Sequence, residues 1–143
     1  MITDTIVAPA TPKGRAGVSI IRISGPNSLK LTKKLTKNTK KISKRKPLFL
    51  SVFSKNSDLI DKTIITYFKE PNSYTGEDVV EISCHGNPLI VKSIIKTLCL
   101  YGARISNPGE FTMRSFLNGK IDLVQAEAVS SLIESKSLAS TKA

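Results

Sequence analysis

The sequence is poor in the side chains from which metal sites and covalent active centres are usually built. Two cysteines, Cys84 and Cys99, and a single histidine, His85, stand in 143 residues. Two cysteines are too few for the disulfide framework of a secreted domain, and their spacing matches no zinc or redox pattern. Together with one histidine they leave too few soft ligands for a conventional transition-metal site. Both thiols are therefore read as small buried hydrophobes. Cys84 adjoins His85, but neighbours on an extended strand point to opposite faces and cannot share a proton as a Cys–His nucleophile must. Apolar runs are far shorter than the roughly 20 residues of a membrane span, so no membrane partner is expected. Met1 to Val7 holds no basic stretch followed by an apolar one, and Asp4 argues against an amphipathic import peptide. The expected location is the cytoplasm. A G-x-x-x-x-G-K-[ST] loop is missing too, and Gly14-Arg-Ala-Gly17 precedes a strand where a phosphate cradle would follow one. Asn118-Gly-Lys-Ile-Asp122 has one residue too many for a guanine-reading Asn-Lys-x-Asp. This chain by itself is not expected to bind GTP.

Acidic residues are scarce as well, with 11 against 22 basic ones and a net charge of +11. The excess is local. Residues 30–46 carry nine basic side chains (Lys30, Lys33, Lys34, Lys37, Lys40, Lys41, Lys44, Arg45, Lys46) and no acid, leaving 13 basic against 11 acidic elsewhere. Such a run can attract phosphates through counterion release, without sequence preference. It can equally be a solvated helix end and loop in a chain where Lys outnumbers Arg 17 to 5. No aromatic residue interleaves the lysines to stack bases, which weighs toward the solvated reading.

Periodicity predicts an α+β domain with a mixed sheet of about five strands and helices packed on one side. Thr5 to Ala8 and Val18 to Ser24 read as strands separated by a Pro- and Gly-containing turn, Pro9 to Gly17. Pro26 suits the first turn of a helix bearing Leu31 and Leu35. Pro47 to Phe53 and Leu59 to Phe68 read as a hairpin, and Val79 to Cys84 as a further strand. Asn87 as cap and Pro88 as first residue open a helix whose stripe Val91, Ile94, Ile95 and Leu98 is expected to be buried, with Gly102 ending it. Ala103 to Ser106 can add a last strand, and Phe111 to Leu117 a short helix. Asp122 with Gln125 resembles a capping box opening a final helix through Leu123, Ala126, Val129 or Ser130, and Ile133. The apolar face of that helix needs a partner, which a second copy of the chain can supply.

Two charges fall inside strand patterns. Alternation places Arg22 with Val18 and Ile20 on one face, and Glu81 with Val79 and Ser83 on another. A third charge, Lys120, follows the turn at Asn118-Gly119. A carboxylate accepts two parallel N–H bonds, as a pterin or guanine-like amide edge would offer, and cations can hold a polar oxygen or an anionic tail. An Arg22–Glu81 ion pair between strands explains the same two residues without any ligand. Glu77 and Asp78 are adjacent carboxylates in a turn-rich loop, where the solvated reading is the ordinary one.

Three motifs in order resemble the tRNA-modification GTPase family known as MnmE or TrmE. They are Asp4-Thr-Ile-Val-Ala with Ala10-Thr-Pro, Gly14-Arg and Ile21-Arg-Ile-Ser-Gly25; Pro71-Asn-Ser-Tyr-Thr-Gly-Glu-Asp-Val-Val-Glu81 with His85-Gly86; and Asn107-Pro-Gly-Glu-Phe-Thr with Arg114 and Phe116-Leu-Asn-Gly-Lys-Ile-Asp-Leu-Val-Gln-Ala-Glu-Ala128. The resemblance covers residues 4 to about 134 and is weakest over 27–60. It departs from the family at Asn87, where a second glycine is usual; Asn tolerates positive φ and caps helices.

The resemblance implies a folate-binding and dimerisation domain over 1–118, similar to that of the glycine-cleavage aminomethyltransferase, with 119–143 as the first helix of a truncated helical domain. It implies 5-formyl- or 5,10-methylene-tetrahydrofolate as ligand, held by Arg22, Glu81 and Lys120, and a homodimer. For the full-length family it implies GTP, magnesium and potassium, a flavin-dependent partner protein, and 5-carboxymethylaminomethyl-type modification of the wobble uridine of tRNA. Two other readings stay open on sequence alone: an RNA-binding module using residues 30–46, and a remnant without function.

Overall fold

The computed structural model describes residues 3–129. In chain order the elements are β1 (Ile6–Pro9), β2 (Val18–Ser24), α1 (Ser28–Thr36), β3 (Leu48–Phe53), β4 (Leu59–Phe68), β5 (Val79–His85), α2 (Pro88–Leu100), β6 (Arg104–Ile105) and α3 (Glu110–Leu117). A further helix begins at 123, and the reciprocal bonds between Asp122 and Gln125 form the expected capping box, at 2.9 and 2.8 Å. The expected continuation of its stripe to Ile133 lies outside the described residues.

Six strands, at the strand-like runs read from the sequence, form a single mixed sheet in the order β3-β4-β5-β2-β1-β6. The last strand, expected over Ala103 to Ser106, is the two-residue β6, which runs parallel to β1 while every other strand pairing is antiparallel. The β3–β4 pair is the predicted hairpin. One sheet face carries Val7, Ile21, Ile23, Ile65, Val80 and Ile82, all fully buried against Leu31 and Leu35 of α1 and Ile94 and Leu98 of α2. Strict alternation on β2, β4 and β5 puts these apolar residues inward because one register alone hides them all.

α1 starts at Ser28, so Pro26 lies before the helix rather than in its first turn. Thr32 and Thr36 face the core and satisfy their hydroxyls by donating to the carbonyls of Ser28 and Thr32, at 2.8 and 2.9 Å. α2 opens as predicted, with the Asn87 side chain accepting from Leu89 N at 2.9 Å and Asn87 in an extended conformation at φ −96°. Only half of its predicted stripe is buried, however. Val91 and Ile95 are partly buried, because they pack against the edge of the core and also border a groove toward Pro9 and Pro12. Cys99 borders the same groove and is also only partly buried, whereas Cys84 is buried as expected. Gly86 is required by a close approach: a Cβ there would lie 2.0 Å from the Ala16 carbonyl oxygen, where the turn before β2 meets the β5–α2 junction.

Candidate functional site

The sheet's second face is not covered by α1 or α2. Its central row is set by strand register, with Ala8 opposite Arg22, Arg22 opposite Glu81, and Glu81 opposite Thr66. The two predicted site charges on strands are therefore direct cross-strand neighbours. Arg22 Nε and Nη2 both donate to one oxygen, Glu81 Oε2, at 3.0 and 2.8 Å. Glu81 Oε1 accepts no hydrogen bond among the described residues, and Arg22 Nη1 donates none. The side chains are 25% and 27% exposed, so both spare groups are open to solvent or a ligand. The ion-pair reading is thus what the fold displays, in a form that leaves one acceptor and one donor unused.

Two aromatic rings cover this pair. The Tyr74 ring centroid lies 4.9 Å from Arg22 Cζ and that of Phe111 6.0 Å, within cation–π range. Phe111 belongs to α3, so the helices do not all lie on one side of the sheet: α3 serves the second face. Neither ring was marked as a site residue by sequence reasoning, although both lie inside the family motifs. The loop 71–78 that carries Tyr74 is tied to α3 and the following turn by three bonds. Tyr74 Oη and Thr112 Oγ1 are 3.0 Å apart, Ser115 Oγ donates to Tyr74 O at 2.6 Å, and Asn118 Nδ2 donates to Thr75 O at 2.9 Å.

Beneath the loop lies a charged network that sequence reasoning also missed. Arg114 is 1% exposed; its Nη1 donates to Asp4 O and Glu77 Oε1, both at 3.0 Å, and its Nη2 to Asp4 Oδ1 at 2.7 Å. Arg104 closes the other side by pairing with Asp4 and Glu110. Hydrogen bonds from Arg104 hold the carboxyls of Glu110 and Asp4 below the ordinary carboxylate range. Ser24 Oγ donates its one proton to Glu77 Oε1 at 2.8 Å, so the Thr75 hydroxyl 2.7 Å away must donate to Ser24. The solvated reading of Glu77 and Asp78 is accordingly wrong. Glu77 is packed against Arg114, and Asp78 Oδ1 accepts from Tyr67 Oη and from Glu70 N. Burial, reinforced by Asp78, pushes the Tyr67 hydroxyl up to about 12. The one available signal was Glu110 and Arg114 four apart on a short helix, which is common on solvated faces as well.

Lys120 stands apart from the strand pair. It is exposed, its backbone N donates to Ser115 O at 2.9 Å, and its Cγ lies 3.3 Å from where a Cβ on Gly76 would be. It bonds to neither Arg22 nor Glu81, yet it borders the loop that carries Tyr74. Cys84 and His85 diverge as predicted. The thiol points to the Ser19 carbonyl and is pushed up to about 11 by burial, while exposed His85 places Nδ1 2.8 Å from Asp61 Oδ1. Burial raises the Asp61 carboxyl, but hydrogen bonds from His85 outweigh it and leave a net lowering.

Residues 5–120 match the family model described as the GTP-binding protein TrmE N-terminus. The chain is 52% identical over 139 residues to the tRNA modification GTPase MnmE of Francisella philomiragia, covering 97% of this chain and 30% of that protein. It is 48% identical to the tRNA modification GTPase MnmE of Thermotoga maritima over 139 residues, and 49% identical to that of Legionella pneumophila strain Corby over 137. These alignments cover 97% and 96% of this chain and 31% and 30% of the two relatives, so the chain spans about a third of the length of the proteins it matches. The chain belongs to the TrmE/MnmE family of tRNA modification GTPases and corresponds to the N-terminal domain of its members.

Proposed function

We propose that this domain binds a one-carbon tetrahydrofolate, 5-formyl- or 5,10-methylene-, on the open sheet face, and that it pairs with a second copy. The observation that carries the reading is the Arg22–Glu81 row under Tyr74 and Phe111, with one carboxylate oxygen and one guanidinium nitrogen unused. Glu81 Oε1 would accept from a pterin N–H, and a second parallel bond would require Arg22 to release Oε2. Tyr74 and Phe111 would flank the ring system. Lys120, at the loop border, would reach an anionic tail. The resemblance to the folate domain of the glycine-cleavage aminomethyltransferase belongs to this reading, as does the division into a folate unit over 1–118 and the start of a helical domain over 119–143.

The relatives' name supports a place for the whole protein in tRNA modification. Within that reading, the domain supplies the folate used for 5-carboxymethylaminomethyl-type modification of the wobble uridine. Other regions of the protein bind GTP, magnesium and potassium. A flavin-dependent protein and tRNA are the partners, in the cytoplasm. No helix among the described residues is long and apolar enough to cross a membrane.

Calorimetry with 5-formyltetrahydrofolate tests the site. Glu81→Gln removes the charge and turns an acceptor into a donor, so it should weaken binding by about 1.5–3 kcal/mol while circular dichroism stays unchanged. A folded parent that gives no heat of binding ends the folate reading. Glu81→Gln and parent binding with equal affinity would remove Glu81 from it.

A further inference from the structure

The charge excess of the chain is spatially sorted. Of the nine basic side chains in residues 30–46, none forms an ion pair among the described residues. α1 and α2 carry no acidic residue at all. Five carboxylates are engaged elsewhere, by Arg22, Arg104, Arg114 and His85. The helix layer, on the side of the sheet away from Glu81, is therefore an uncompensated cationic surface.

On α1 the sorting has helical geometry. Lys30, Lys33 and Lys34 recur at the i, i+3, i+4 spacing of one face, Lys37 follows as the left-handed cap of α1, and the four together line a groove of about 700 Å³ with Asn27 and Asn38. From Lys30 to Lys37 the stripe runs about 10 Å, the rise of about three nucleotides in one strand. Tyr101 and Phe53 sit beneath two of the ammonium groups, 5.8 Å from Lys34 Nζ and 5.0 Å from Lys37 Nζ. The groove's one acid, Asp78, accepts from Tyr67 Oη and Glu70 N through Oδ1 and pairs with none of the described lysines, so four cations face one anion there.

We infer that this α1 stripe, continued by the basic residues up to Lys46, is a docking surface for the phosphate backbone of an RNA. The contact carries no base readout, because no exposed aromatic residue interleaves the lysines. A lipid surface is the poorer fit. Leu31 and Leu35 are buried in the core, so α1 presents no apolar side to insert between acyl chains. The surface lies on the face opposite the folate site, and its failure or success is independent of that reading.

The test is fluorescence anisotropy of the 143-residue chain with a labelled, unmodified tRNA transcript, from 50 to 200 mM salt. The parent should bind with a steep salt dependence. Lys30→Gln/Lys33→Gln/Lys34→Gln/Lys37→Gln should lose at least tenfold in affinity and lower the salt slope by about 3. An equal charge loss elsewhere, Lys13→Gln/Lys55→Gln/Lys62→Gln/Lys69→Gln, should cost far less. All eight lysines except the partly buried Lys33 are exposed, and circular dichroism of both variants verifies folding. Equal losses in the two variants overturn the proposal, as does salt-independent binding or none. So does tighter, stripe-dependent binding to phosphatidylserine vesicles, which would assign the surface to lipid.

Discussion

Arg114 is the largest fully buried side chain among the described residues, and its guanidinium tolerates that position only because Asp4, Glu77 and Glu110 surround it. Arg114 Nε alone has no partner among the described residues. Removing the cation would strand carboxylates away from water, a stronger effect than the pair's net contribution. Arg114→Met should therefore cost about 3–5 kcal/mol in urea unfolding, and Arg114→Lys nearly as much, because an ammonium cannot reproduce the fork. A loss below about 1 kcal/mol would show that the network does not hold α3 in place. The same cluster sets the acid response. Folding lowers the Glu110 and Asp4 carboxyls, chiefly through hydrogen bonds from Arg104, so their contribution is complete above the ordinary carboxylate range. It disappears as pH falls through the lowered folded values. Arg104→Met should flatten that acid limb, measured as urea stability against pH; an unchanged slope would remove these carboxyls as its cause.

At the scale of elements, loop 71–78 and α3 act as a cover for the sheet face. Tyr74→Ala removes the ring over Arg22 and should weaken 5-formyltetrahydrofolate binding by about 0.5–2 kcal/mol, whereas Tyr74→Phe keeps the ring and should bind nearly as the parent does. Equal affinity of the alanine variant would reduce the ring to a structural prop. Local patterns foretold most elements here. Alternation located β2, β4 and β5, and the Asn87-Pro88 start located α2, because a side chain's face depends on nearest neighbours alone. Pairing was legible only as an open alternative, the Arg22–Glu81 ion pair, and not as a position in the sheet. That Arg22 meets Glu81, 59 positions away, depends on the β3–β4 hairpin lying outside β5 in the sheet order, which no local pattern encodes. The same limit explains Glu77. A polar loop looks solvated until α3 folds against it and brings Arg114 underneath. Val91 and Ile95 are covered less than expected, since a helical stripe tells which side is apolar but not how deeply each position is buried.

For the whole molecule, the two sheet faces differ in what covers them. The face opposite α1 and α2 carries, beside the Arg22–Glu81 row, a second row in which Ile20, Ser83, Ile64 and Phe49 are cross-strand neighbours. Phe49 is 72% and Ile64 45% exposed, and Val18 at the same face is 58% exposed. Scattered apolar residues on a surface are ordinary, but Phe49 and Ile64, exposed side by side on neighbouring strands, would suit an association site. A second copy is the simplest occupant, because a twofold axis lets the same row bury itself twice. The isolated chain should then run in light scattering at twice its 15.6 kDa mass. Phe49→Asp/Ile64→Asp places two charges in the row without touching the buried face, and should give a monomer with unchanged circular dichroism. A parent that stays at 15.6 kDa when concentrated would show that this face does not pair, and a double variant that stays dimeric would move the interface elsewhere. Folate titration of the monomeric variant separates the two properties. Retained affinity would confine the site to one copy, with Arg22, Glu81 and Tyr74 sufficient. Lost affinity in a folded monomer would mean that the second copy completes the pocket over the same sheet face.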